Sequence, residues 1–184
     1  MRLFTGIDLP ETIKERLDVL VSRLRSTAQV KWSPVHNLHI TTKFIGEWPK
    51  PRLEELVAEL KTVPATQPID IELRNLGWFP NPHSPRVFFV GVHASPSLAE
   101  LARATDGACS DLGIPSERRV FSPHLTLARI QQATPLQPLR KAVADLESVD
   151  FGGFRPLCYY LYLSEPGHSG SVYTPLHEFP LPAA

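Results

Sequence analysis

Apolar residues recur along this chain in two rhythms, one with the spacing of a helix and one with the alternation of a strand. Residues 2–8 read as a strand, and Pro10 then stands at the first position of a predicted helix. From there Ile13, Leu17, Leu20, Val21 and Leu24 fall on one helical face through about residue 25. A second helix is predicted over about 52–61, with Leu53, Leu56, Val57 and Leu60 on one side. A third covers about 97–112, carrying Leu98, Leu101, Ala102, Ala108 and Leu112. A shorter fourth follows Pro138, with Leu139, Ala142, Val143 and Leu146. Strand-like runs lie between them: Leu38 to Ile45, Ile69 to Leu76, Arg86 to Val92, His124 to Ile130, Cys158 to Leu163 and Val172 to Leu181. Several alternate apolar with polar residues, as a sheet does when one face packs on helices and the other lines a cleft. Helices and strands interleave without strict alternation. The expected fold is therefore α+β with mostly antiparallel sheets.

At 184 residues the chain fits one domain, or two small lobes on a shared core, and no long linker divides it. Its 19 basic and 19 acidic side chains balance. A protein that grips nucleic acid along its phosphates is usually basic, so any nucleic-acid partner is expected to be held locally, at an end. No apolar run reaches the roughly 18 residues of a membrane span, and the opening residues lack the pattern of a secretory leader, so a cytoplasmic chain is expected. Cys109 and Cys158 lack metal-type spacing and read as small hydrophobes in a reducing compartment.

The candidate chemistry lies in two short segments, Asn37-Leu38-His39-Ile40-Thr41-Thr42-Lys43-Phe44 and Ser122-Pro123-His124-Leu125-Thr126-Leu127-Ala128-Arg129. Both carry the pattern His-x-Thr-x, each in a predicted strand in its own half of the chain, which suggests an internal duplication. Residues two apart in a strand face the same side. His39 therefore points with Thr41, and His124 with Thr126, while Leu38, Ile40, Thr42, Leu125 and Leu127 face the other way. A third triplet, His93-Ala94-Ser95, precedes Pro96 and reads as a strand end with Ser95 starting the next helix. Two imidazoles and two hydroxyls suffice for hydrolysis of a cyclic phosphodiester. One imidazole takes a proton from water and the other gives one to the leaving alkoxide, while the hydroxyls donate to the non-bridging oxygens. The two motifs are chemically alike, so this reasoning leaves open which is acid and which is base. No His, Asp, Glu or Cys cluster suggests a metal, and no cofactor is implied.

These segments resemble the two-histidine phosphoesterase superfamily, specifically the RNA 2′,3′-cyclic phosphodiesterases once named 2′-5′ RNA ligases. The resemblance extends from Arg2-Leu3-Phe4-Thr5-Gly6-Ile7-Asp8-Leu9-Pro10 to Val172-Tyr173-Thr174-Pro175-Leu176, nearly the whole chain. Ile40 and Thr42 stand where that family often has leucines. The resemblance implies a two-lobed, pseudo-twofold domain over 1–184, with mostly antiparallel sheets lining a central groove and helices outside. It implies metal-free cleavage of 2′,3′-cyclic phosphate ends on RNA to 2′-phosphomonoesters, with His39 as proton donor and His124 as acceptor. Arg129 matches a family arginine near the phosphate, although simple alternation turns it away from His124 unless the strand bends. Lys43 continues the face of His39 and Thr41 as a further candidate for phosphate, or as an exposed strand-end lysine. Tyr173 and Phe121 are candidates to stack on base or ribose, Phe121 reading more readily as core. His36, His83, His168 and His177 read as loop residues without a role. A monomer is expected. Alternatives are a phosphodiesterase for 2′,5′-linked oligonucleotides or small cyclic nucleotides, reverse 2′-5′ ligation at the same site, a non-catalytic module that binds RNA ends, and a metallohydrolase.

Overall fold

The computed structural model describes residues 1–131, 133–168 and 170–183. In chain order its elements are β1 (Arg2–Asp8), α1 (Glu11–Leu24), β2 (Lys31–Trp32), β3 (His39–Glu47), α2 (Leu53–Leu60), β4 (Ile71–Phe79), β5 (Val87–Ala94), α3 (Pro96–Asp111), β6 (His124–Arg129), α4 (Gln137–Ala144), β7 (Asp150–Phe154), β8 (Cys158–Gly167) and β9 (Gly170–Pro180). Two antiparallel sheets result, one in the order β3-β1-β8-β9 and the other in the order β2-β6-β5-β4-β7. The fold is α+β, as the interleaved periodicities predict. Pro10 is the residue before α1 and not its first member. The β8–β9 hairpin runs several residues beyond the predicted strands, and His177 lies within β9 instead of a loop. The short β2 and the Gly-Gly-containing β7 carry too little alternation to be read from sequence.

The sheets are built alike. In the first, β1 leads through α1 to β3, which returns to pair with β1. In the second, β5 leads through α3 to β6, which returns to pair with β5. The orders β3-β1-β8-β9 and β6-β5-β4-β7 thus correspond strand for strand, and each His-x-Thr motif sits at the same place in its sheet. The helices cross over: α3 packs on β3 of the first sheet, and α1 packs on β7 of the second. One apolar cluster runs through both, including Leu3, Ile7 and Ile40 from the first sheet, Leu73, Phe88 and Leu125 from the second, and Leu17 and Leu101 from the helices. Ile40, Leu125 and Leu127 are fully buried, as the rear face of each motif requires. Each such side chain contributes about 1.5–3 kcal/mol by leaving water, which fixes the strand's roll and so the aim of the histidine one residue away.

Two details bring the second motif into place. Ser95 precedes α3 with Pro96 at its first position, and its hydroxyl, instead of capping the helix, accepts the Asp70 amide at 3.0 Å. At the other end Gly113 takes a left-handed conformation (φ +84°), and the Ile114 amide reaches back to the Cys109 carbonyl at 3.0 Å. That turn stops the helix and sends residues 115–123 back toward the groove, where they enter β6.

Candidate active site

β3 and β6 come side by side, and both motifs face one groove. In each histidine Nδ1 is bound to the backbone carbonyl two residues earlier, Asn37 for His39 at 2.7 Å and Ser122 for His124 at 2.8 Å. A carbonyl can only accept, so Nδ1 carries the proton and Nε2 is the nitrogen left for chemistry. Aromatic rings orient the imidazoles further. Between ring centres, His39 lies 4.7 Å from Phe4 and, perpendicular to it, 5.1 Å from Tyr173; His124 lies 5.0 Å from Phe79 and 5.6 Å from Phe89. Gly6, on β1 opposite Thr41, leaves room for this: a β-carbon there would stand 3.0 Å from the Ile40 carbonyl oxygen and 3.4 Å from the His39 ring.

The groove has two compartments. The larger, about 460 Å³, is lined by Thr41 of the first motif and His124 of the second, with Phe44, Val120 and Phe121. The smaller, about 90 Å³, is lined by His39 of the first and Thr126 of the second, with Arg129, Lys31 and Tyr173. Each histidine thus shares a wall with the threonine of the other motif, as a twofold relation between the sheets requires.

A β-bulge closes each motif. Along β3, Thr41 faces Gly6 and Lys43 faces Thr5, so Thr42 is the extra residue; along β6, Thr126 faces Phe89 and Ala128 faces Phe88, so Leu127 is extra. An inserted residue reverses the alternation that follows it. Arg129 is therefore turned onto the groove face with His124 and Thr126, which plain alternation denied. Lys43 is turned off it. Its side chain is 1% exposed and buried toward α3, 2.7 Å from Asp106 and 3.6 Å from Glu117, and it donates to the Pro115 carbonyl at 2.9 Å. Lys43 still lines the larger compartment, with its ammonium held by Asp106 and Glu117; its reading as an exposed strand-end lysine is overturned by its burial. The position it would have held belongs to Phe44, 47% exposed and stacked 6.4 Å from Phe4.

The charge balance at His39 is specific. Burial lowers its pKa below the ordinary 6.5; the Asn37 carbonyl and Asp8 pull it up, while His124 and Arg129 push it down, and the net direction is downward. Asp8 lies directly across from His39 on β1 and also pairs with Lys14 at 3.0 Å. Sequence reasoning passed over Phe4, Asp8, Lys31, Phe79 and Phe89. Phe4 and Asp8 share a strand face with Gly6, a parity visible in the sequence, but which strand β1 pairs with is not. Of the residues it named, the structure gathers His39, His124, Thr41, Thr126, Arg129 and Tyr173 at the groove, with Phe121 half-buried on its wall. Cys109 is fully buried, which pushes its thiol up to about 11, and Cys158 is half-buried; both are free. Among the described residues no three His, Cys, Asp or Glu side chains gather as a metal site.

The family model described as LigT like phosphoesterase matches residues 7–89 and again 90–155, one motif in each stretch. The chain belongs to that family. Among its relatives is the RNA 2′,3′-cyclic phosphodiesterase of Methanocaldococcus jannaschii, 34% identical over 97% of this chain and 100% of the relative. Another is the RNA 2′,3′-cyclic phosphodiesterase of Thermus thermophilus, 35% identical over 98% of this chain and 90% of the relative. A crystal structure from Thermus thermophilus matches 98% of each chain with a TM-score of 0.82 at 31% identity. That of E. coli LigT complexed with 3′-AMP matches 98% of this chain and 97% of the other, with a TM-score of 0.80 at 25% identity. The second stretch matched by the family model begins within β5, so each stretch contributes its own motif strand to the groove of this phosphoesterase. No helix is long and apolar enough to cross a membrane.

Proposed function

We propose that this phosphoesterase hydrolyses 2′,3′-cyclic phosphate ends of RNA to 2′-phosphomonoesters, without a metal, by paired acid–base catalysis from His39 and His124. The carrying observation is the matched anchoring of both rings. With each Nδ1 held by a carbonyl two residues back, two Nε2 atoms are left to share one groove, and among the described residues neither is bound to protein. The relatives named as RNA 2′,3′-cyclic phosphodiesterases support the same reading.

In this reading the cyclic phosphate lies between the motifs. His124 Nε2 takes a proton from water as the water oxygen bonds to phosphorus. The bond from phosphorus to the ring 3′ oxygen breaks, and His39 Nε2 gives its proton to that oxygen. Thr41 and Thr126 donate to the non-bridging oxygens, and Arg129 offers a planar fork of donors to the same atoms. Phe44 and Tyr173 flank the phosphate with apolar surface for base and ribose. The lowered pKa of His39 has two opposing consequences. Fewer empty enzymes carry the proton near neutrality, but a protonated His39 is a stronger acid toward the alkoxide. The bound phosphate anion raises that pKa again, by ordinary charge attraction.

The test is an RNA oligonucleotide ending in a 2′,3′-cyclic phosphate, incubated with the protein in EDTA, beside His39→Ala and His124→Ala. Conversion to a 2′-phosphate by wild type alone is the expected result. A need for metal, a 3′-phosphate product or full activity in either variant overturns the reading.

A further inference from the structure

The groove continues past the reacting atoms. The 460 Å³ compartment that holds His124 and Thr41 is also lined by Arg103 of α3 and Arg119 of the loop entering β6. Both are exposed, and among the described residues neither has an ion-pair partner. Lys43 lines the same space, but its charge is taken up by Asp106 and Glu117. The two guanidiniums are thus the cations left there for a ligand. Phe44 and Val120, 47% and 93% exposed, line the same compartment and give it an exposed apolar surface. Cations, apolar surface and the His124 imidazole in one compartment fit a phosphate, a nucleoside and a cyclic phosphate. A cavity of this size falls within the ~300–1,000 Å³ that holds a ligand as large as a nucleotide.

We infer that Arg103 and Arg119 form a subsite for the internucleotide phosphate on the 5′ side of the terminal nucleoside, so that the enzyme is built for oligonucleotide ends and not for cyclic mononucleotides. The inference rests on the proposed function, from which it takes the position of the cyclic phosphate. The loop that brings Arg119 and Val120 to the groove is held by the buried knot at Lys43: the ammonium ties Pro115 and Glu117 to Asp106, whose carboxylate also accepts the Glu117 amide at 3.1 Å. Burial alone raises the Asp106 pKa, yet the hydrogen bonds from Lys43 and the Glu117 amide outweigh it and hold the carboxyl below its ordinary range. The knot therefore stays ionised and the arginine wall stays in place at neutral pH. A single phosphate at one end of the strand also agrees with a chain that carries no net charge.

The experiment compares three substrates: a uridine 2′,3′-cyclic phosphate, a diuridine ending in the same group, and that dinucleotide with a neutral methylphosphonate linkage. Two charge-assisted contacts are expected to raise kcat/KM of the dinucleotide about tenfold or more over the mononucleotide. The gain is expected to vanish with the neutral linkage and in Arg103→Ala/Arg119→Ala, while that variant's rate on the mononucleotide stays unchanged. Added salt should erode the dinucleotide advantage, because it screens contacts between exposed charges. Equal rates on mononucleotide and dinucleotide, or a gain that survives the double variant, would overturn the subsite and leave the proposed function standing. No hydrolysis of either substrate would remove both.

Discussion

The strands β3 and β6 are built to one plan and finished differently. Both begin with a histidine fixed by a carbonyl two residues back, place a threonine two residues on, and bulge at the next position. The bulge then delivers the residue five after each histidine to the groove, and there the strands part: Phe44 on β3, Arg129 on β6. The shared part supplies what acid–base catalysis needs twice, an imidazole and a hydroxyl. The divergent part differs in kind, an apolar surface on β3 and a cation on β6, which the proposed function assigns to the base or ribose and to the phosphate of a nucleotide end. Under the proposed function, a pseudo-symmetric frame would thereby hold an asymmetric substrate in one direction.

The strongest way to break this comparison is to remove either imidazole. His39→Ala and His124→Ala are each expected to lower kcat by ~10²–10⁴-fold, and the double variant by much less than the product, because the two act as one unit. Next comes the divergent position. Arg129→Ala, losing charge-assisted bonds of about 1.5–3 kcal/mol, is expected to lower kcat/KM by one to two orders of magnitude in steady-state assays. Phe44→Ala should raise KM and leave kcat nearly unchanged; a fall in kcat like that of Arg129→Ala would mean the two positions are not specialised.

Smaller effects concern Lys43, whose partners belong to α3 and the loop before β6. Lys43→Met is expected to lower the midpoint of thermal unfolding at neutral pH and to lose that disadvantage in acid. The sign follows from Asp106, whose pKa is depressed in the folded protein. Its stabilisation is present above the unfolded carboxylate range and disappears as pH falls through the lower folded value. The smallest expected effect is at His39. Its pKa lies below 6.5 in the folded state, so the unfolded chain binds the extra proton first. Stability should rise with pH up to about the ordinary imidazole value and fall below it. A proton NMR titration of the free protein should place the His39 midpoint under 6.5, and added inorganic phosphate should raise it.

Much of this molecule was legible in its sequence because the signals are local. Helices with faces such as Ile13-Leu17-Leu20-Val21-Leu24, and strands with buried Ile40 or Leu125 behind the histidines, follow from periodicity alone. The bulges at Thr42 and Leu127 did not, since they depend on which residue of β1 or β5 lies opposite. The burial of Lys43 against Asp106 and Glu117 was consequently missed. Arg129 was pointed to by family resemblance against the alternation, and the bulge supplies the missing physical reason. Phe79 and Phe89 escaped notice because strand pairing, a long-range property, sets them around His124. Lys31 was missed for the same reason: it reaches the groove through β2, which pairs Lys31 with Arg129 over only two residues.

The central claim, that one imidazole gives a proton while the other takes one, is tested most directly by the leaving group. A cyclic phosphate whose 3′ ring oxygen is replaced by sulfur expels a thiolate that needs no proton, yet keeps the geometry of the natural end. On this substrate His39→Ala should recover most of the wild-type rate, while His124→Ala should remain as impaired as on the oxygen compound. Recovery of His124→Ala alone would exchange the two roles, and equal impairment of both variants on both substrates would contradict paired acid–base catalysis altogether.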